Sequence, residues 1–126
     1  MFSTTGAFSG FSVDDIDAAR TFYGETLGFA VITNEMGFLE IQLHSGAMIL
    51  IYAKPNHTPA SFTILNFPAD DVEAAVDDLN SRGVTTKIYP DDQLPSDSKG
   101  IMRGNGPDIA WFRDPAGNVL SVLSSR

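Results

Sequence analysis

The sequence predicts an α+β fold: two βαβββ modules in tandem, forming a curved mixed-sheet trough with the helices on its outer face. Three observations predict it. Residues 13–29, VDDIDAARTFYGETLGF, are echoed in shortened form by residues 69–84, ADDVEAAVDDLNSRGV. Each copy is flanked by stretches in which apolar and polar residues alternate with the period of a strand. Each copy also closes on a glycine followed by an apolar residue, Gly28 then Phe29 and Gly83 then Val84.

In chain order, residues 1–7 are small and polar and predict a loose arm or the entry to a first strand. Over residues 8–13, Ser9, Phe11 and Val13 alternate with Phe8, Gly10 and Ser12, which fits a strand whose Phe11 side meets a helix. The paired aspartates Asp14 and Asp15, and later Asp70 and Asp71, suit helix N-termini, where a carboxylate accepts from amides that lack a partner inside the helix. Ile16, Ala19, Tyr23 and Leu27 make an apolar stripe on the first helix, and Val72, Ala75, Val76 and Leu79 make one on the second. Gly28 and Gly83 supply the left-handed residue that commonly ends helices.

Strands follow over residues 29–33 and 38–44. In the latter, Leu39, Ile41 and Leu43 alternate with Glu40, Gln42 and His44. Residues 47–53, AMILIYA, are apolar on both faces and predict a strand buried on both sides. Residues 54–60, with two prolines and an asparagine, read as the linker between a first module at about 7–53 and a second at about 61–126. The second module predicts strands over 62–67, 84–89, 109–113 and 119–123, with the turn DPAGN between the last two. Residues 90–108, rich in proline, glycine and aspartate and without periodicity, predict a long mobile loop suited to a lid.

At 126 residues and 43% apolar content the chain is one domain by size, so the two modules share a core. Sixteen acidic against 8 basic residues give a net charge of −8, which disfavours nucleic acid and anionic membrane surfaces as partners. There is no cysteine, so any metal would be held by His, carboxylate or amide oxygen. No apolar run approaches the ~20 residues of a membrane span, and the first residues lack the pattern of a secretory signal, so the expected location is cytoplasmic.

These residues resemble the vicinal oxygen chelate superfamily, which includes glyoxalase I, extradiol dioxygenases and the fosfomycin- and bleomycin-resistance proteins. The resemblance rests on the first helix with its FY and LGF landmarks, on DDVEAAVDDLNSRGV, and on DPAGN before the last strand. It implies the two-module trough and, in the metal enzymes, one His or Gln on each module's first strand and one Glu on each last strand. Carried onto this chain, those places fall on Phe8, Ile64, Ser121 and Leu50 or Ile51. None is a divalent-metal ligand, and an open site needs about three suitable protein donors. No metal and no cofactor are therefore expected.

A shifted metal site could draw on His44, Glu40 and Gln42, which alternate on one strand face, although that is also the ordinary pattern of a solvated edge. His57 reads as a solvated loop residue. The trough lining that remains is apolar and aromatic: Phe8, Met48, Leu50, Tyr52, Ile64 and Trp111, with Ser121 among them. Arg103 and Lys99 stand in the long loop, placed to close over a polar or anionic group. The resulting expectation is a metal-free protein, similar in type to the bleomycin-resistance proteins, that holds a partly apolar or aromatic small molecule. The alternatives are a glyoxalase- or dioxygenase-like enzyme with displaced ligands and a non-catalytic structural or regulatory subunit. The resemblance also implies a homodimer.

Overall fold

Strand, helix and three further strands follow one another in the first half of the chain, as the alternation predicts: β1 (Ser9–Val13), α1 (Ile16–Arg20), β2 (Ala30–Thr33), β3 (Leu39–Gln42) and β4 (Met48–Ala53). These come from a computed structural model of the chain, which describes residues 2–104 and 106–125 and divides it into two units, Met1–Thr58 and Pro59–Arg126. The first unit is a four-stranded sheet in the order β1-β4-β3-β2, with β1 parallel to β4 and the other pairs antiparallel.

The helix begins where the aspartates place it. Asp15 is extended, and its Oδ1 accepts from the N–H groups of Asp17 and Ala18 at 3.0 and 3.1 Å. After Arg20 the helix widens into a π-helical stretch, Thr21–Thr26, in which the Leu27 N–H reaches the Phe22 carbonyl at 2.8 Å. Tyr23, fully buried there, meets Phe11, Phe22 and Phe29 with ring centroids 5.9, 5.1 and 6.5 Å away. Phe11 thus faces the helix, as expected from the sequence. Gly28 and Gly83 both take positive φ, 76° and 85°, just past their helices.

The second unit contains β5 (Thr63–Ala69), α2 (Val72–Ser81), β6 (Ile109–Arg113) and β7 (Val119–Ser124). Its sheet has the order β5-β7-β6, with β5 parallel and β6 antiparallel to β7. Pro68, which has no N–H to give a ladder, lies on the edge strand β5. Asp71 caps α2 by accepting from the Ala74 N–H at 3.0 Å. The helix sets Val72 and Val76 against Ala110 and Val122 of the sheet and Ile101 of the loop. Burying each of the valines and the isoleucine contributes about 1.5–3 kcal/mol.

The strand expected over residues 84–89 is not formed, so the second module is βαββ among the described residues. Its polar groups are engaged elsewhere. Asn80 Nδ2 donates to the Val84 carbonyl at 2.9 Å and to Thr86 Oγ1 at 3.0 Å. The buried Thr86 hydroxyl in turn donates to the Lys99 carbonyl at 2.6 Å. The place beside β6 is taken instead by Met102, which exchanges backbone hydrogen bonds with Ile109 at 2.8 and 3.1 Å.

Over its described residues the loop expected to be mobile is fastened by side-chain hydrogen bonds and ion pairs, from within it and from the segments around it. Asp97 Oδ1 accepts from the N–H groups of Lys99 and Ile101, both at 2.9 Å. Lys87 Nζ reaches Asp91 at 2.7 Å and Ser96 Oγ at 2.8 Å. Ile101 is only 1% exposed. Gly100 passes so close to residues 86–87 that a Cβ there would lie 2.0 Å from the Thr86 carbonyl oxygen, and its φ is +86°. Gly100→Ala is therefore expected to lower stability by at least about 2 kcal/mol, through overlap and backbone strain together. Urea unfolding checks this, and a change under about 0.5 kcal/mol, the size of an ordinary surface substitution, would contradict the packing.

Candidate functional site

Each helix covers one face of its sheet, and the period of two fixes what the opposite face carries. In the first unit Leu39, Ile41, Ile49 and Ile51 are buried on the Phe11 and Tyr23 side. The opposite face therefore shows Met48, Leu50 and Tyr52 from β4, Glu40 and Gln42 from β3, and Gly10 and Ser12 from β1. In register, Leu50 lies between Gly10 and Glu40, and Tyr52 beside Ser12. Met48, Leu50 and Tyr52 are half-buried rather than buried on both sides, as their apolar run had predicted. Phe38 packs on Tyr52 at 6.1 Å, and Asn34 Nδ2 donates to Glu40 Oε2 at 3.2 Å.

Phe8 precedes β1 and is 59% exposed. His44 does not share the face of Glu40. β3 ends at Gln42, and His44 stands exposed in a turn in which the Leu43 N–H bonds the Ala47 carbonyl at 2.9 Å. The tight turn ends the alternation that would have aligned His44, Glu40 and Gln42. His57 is not simply solvated either: it is half-buried, and its Nδ1 is 2.6 Å from Ser12 Oγ, tying the segment after β4 back to β1.

In the second unit Ala110 and Val122 face α2, so their neighbours Trp111 and Ser121 face away from it. The register sets Asn66, Ser121 and Trp111 in one row across β5, β7 and β6. Ser121 is fully buried, and its hydroxyl donates to Asn66 Oδ1. A register shift in β5 between Thr63 and Leu65 aligns Thr63 with Val119 and leaves Ile64 as the unpaired residue of a bulge. Thr63, not Ile64, meets the tryptophan: Trp111 Nε1 donates to Thr63 Oγ1 at 3.1 Å. Tyr89, from the irregular segment, packs edge-on to Trp111 at 5.7 Å with the ring planes at 77°. The guanidinium of Arg113 lies over Tyr89, 5.8 Å from the ring centroid.

Arg103 belongs to a different place. It lines a cleft of about 360 Å³ at the start of α2, with Asp70, Asp71, Val72, Glu73, Asp108 and Ser124. Its guanidinium pairs with Asp97 and, at 3.0 Å, with Glu73, while Lys99 pairs with Glu73 and Asp77 at 3.0 and 2.7 Å. The two loop cations expected to close over a ligand are thus engaged in fastening the loop to α2. The hydrogen bonds that Lys99 donates to Asp77 and Glu73 raise its pKa against a smaller opposing effect of burial. Burial pushes the Asp97 carboxyl up, but the Ile101 N–H, Arg103 and the Lys99 N–H together hold it below its ordinary 3.8.

At the four places where the resemblance sets ligands stand Phe8, Ile64, Ser121 and Leu50 or Ile51, and the one hydroxyl among them is spent on Asn66. Among the described residues no group of three or more His, Asp or Glu side chains is placed to hold a metal ion. The residues do not fit such a centre.

The profile of the glyoxalase/bleomycin resistance protein/dioxygenase superfamily matches residues 7–122. The chain belongs to this superfamily. No curated protein matches it. Among solved structures it is similar to TnmS3, an antibiotic binding protein from Streptomyces sp. CB03234, at 26% identity and a TM-score of 0.68, over 94% of each chain. A glyoxalase/bleomycin resistance protein from the same organism is also 26% identical, with a TM-score of 0.63 over 94% of this chain and 100% of that one. A superfamily member from Sphaerobacter thermophilus DSM 20745, 21% identical over 94% of this chain and 97% of its own, shares the fold with a TM-score of 0.70. No helix among the described residues is long and apolar enough to cross a membrane.

The network around Asp97 carries a pH dependence with a definite sign. Its folded-state pKa is lowered, so its stabilisation is complete above the unfolded value near 3.8 and is lost as pH falls through the lower folded value. Asp97→Ala is expected to cost about 1–2 kcal/mol at neutral pH. The gap to the parent protein, measured by urea unfolding, should narrow below that unfolded value. A gap that stays constant into acid would contradict the assignment.

Proposed function

We propose that this chain binds a small, partly apolar or aromatic organic molecule without a metal, and that the side chains around Trp111 form the contact surface. One observation carries the reading. Trp111 stands on the sheet face turned away from α2, half-buried and held at two points by the Thr63 hydroxyl and the Tyr89 ring. A large ring oriented before binding loses little conformational freedom when a planar ligand stacks on it. An aromatic pair of that kind contributes about 0.5–1.5 kcal/mol beyond the apolar area it buries.

Two further facts support the reading. Phe8, Ile64, Ser121 and Leu50 or Ile51 stand where the resemblance sets metal ligands, which favours holding a guest by contact and shape. A relative of the same fold and similar length, 26% identical, is an antibiotic binding protein. Binding of this kind would serve sequestration or carriage and needs no catalytic group. In the first unit, Met48, Leu50 and Tyr52 with Phe38 offer a second half-buried apolar face of matching character.

Calorimetric titration and thermal shift with a panel of planar aromatic compounds test the proposal. A saturating compound should stabilise the fold by about 2.7 kcal/mol at a hundredfold excess over its Kd, and Trp111→Ala should weaken it by about 1 kcal/mol or more. Unchanged affinity in that variant would place the site elsewhere. No response across the panel would favour the structural-subunit alternative, and a stoichiometric transition metal found by elemental analysis would favour the displaced-ligand enzyme.

A further inference from the structure

Among the described residues the basic side chains of the second unit are almost all neutralised locally. Arg82 pairs with Asp78 at 2.9 Å, Lys87 with Asp91, Lys99 with Glu73 and Asp77, and Arg103 with Asp97 and Glu73. In a chain with 16 acidic residues such pairing is easily found. Arg113 differs. Among the described residues no carboxylate pairs with it and its side chain makes no hydrogen bond. Its one recorded partner is the face of Tyr89.

Its position gives this freedom a meaning. Arg113 ends β6 two residues after Trp111, so the period of two sets both on the face turned away from α2. Tyr89 contacts both: its ring plane stands at 77° to that of Trp111, and the guanidinium lies over its face. A guanidinium within about 6 Å of a ring face is attracted there without a hydrogen-bond acceptor, so its N–H groups stay available to one. The fork those N–H groups make matches the two oxygens of a carboxylate. The net charge of −8 repels anions at long range, but that repulsion is screened beyond about 8 Å at physiological ionic strength. At contact the local cation decides.

We propose that Arg113 reads charge at the Trp111 surface, so that the preferred ligand is a planar aromatic carboxylate whose ring stacks on Trp111 and whose carboxylate meets Arg113. This inference rests on the binding reading above and adds the ligand's charge and the residue that selects it. No bond is made or broken.

The test compares two compounds of equal ring area that differ in charge, 2-naphthoate and 2-naphthalenemethanol, by calorimetry on the parent protein, Arg113→Gln and Arg113→Lys. The parent should bind the carboxylate about tenfold more tightly than the alcohol, the scale of one charge-assisted hydrogen-bond pair. That ratio should fall to within about twofold of unity in Arg113→Gln and take an intermediate value in Arg113→Lys, which keeps the charge without the planar fork. Near-ultraviolet circular dichroism establishes that each variant retains the parent fold. Equal affinity for both compounds in the parent, or a preference that persists in Arg113→Gln, overturns the role of Arg113 and leaves the binding reading standing. Absence of binding by both compounds overturns the two together.

Discussion

The covering of one sheet face by a helix is the constraint from which the rest follows. Once Ala110 and Val122 are committed to α2, the pleat leaves Trp111 and Ser121 no choice but the other side. In the first unit Phe11 and Tyr23 make the same commitment at one end of the sheet, and Met48, Leu50 and Tyr52 are turned outward as a result. The two aspartate caps matter for this reason. By starting each helix at a defined residue, they help set which side chains form its buried stripe.

The second half of the chain shows how polar side chains redirect a fold that pattern alone would have completed. Residues 84–89 have the composition of a strand, yet Asn80 and Thr86 bind this segment to the end of α2 and to the Lys99 carbonyl. The loop then supplies Ile101 to the core and Met102 to the edge of β6. Lys99 and Arg103, the cations that looked available for a ligand, are consumed in holding that loop against Glu73, Asp77 and Asp97. One consequence is positional: freed from the sheet, Tyr89 comes edge-on to Trp111 and becomes part of the candidate surface.

Much of this was legible in the residues, and the failures have identifiable causes. The helix starts at Asp15 and Asp71, the glycines that end the helices, the facing of Phe11 and the turning of Trp111 away from α2 all follow from local chemistry and periodicity. Thr63 could not be foreseen, because a bulge in β5 leaves no mark in the alternation of TILNFPA. His44 was misplaced by extending an alternating run two residues past the end of β3. His57 was misread because its partner, Ser12, is distant in sequence. Arg113 was passed over since an arginine at a strand end has no signal of its own; only the pairing of its neighbours sets it apart. Asn66, a polar residue within an apolar strand, was a signal that went unused.

What the proposed reading draws from these features is a surface suited to ring contact framed by hydrogen bonds. Its reporter is built in. Trp111 is the only tryptophan, so a ¹H–¹⁵N correlation spectrum contains a single indole N–H signal, from the group that donates to Thr63. Titration with 2-naphthoate should displace that signal progressively to a saturating limit, together with the backbone amides of Arg113 and Tyr89, while those of α2 stay in place. An indole signal that remains stationary while amides elsewhere in the chain move to saturation would contradict the account.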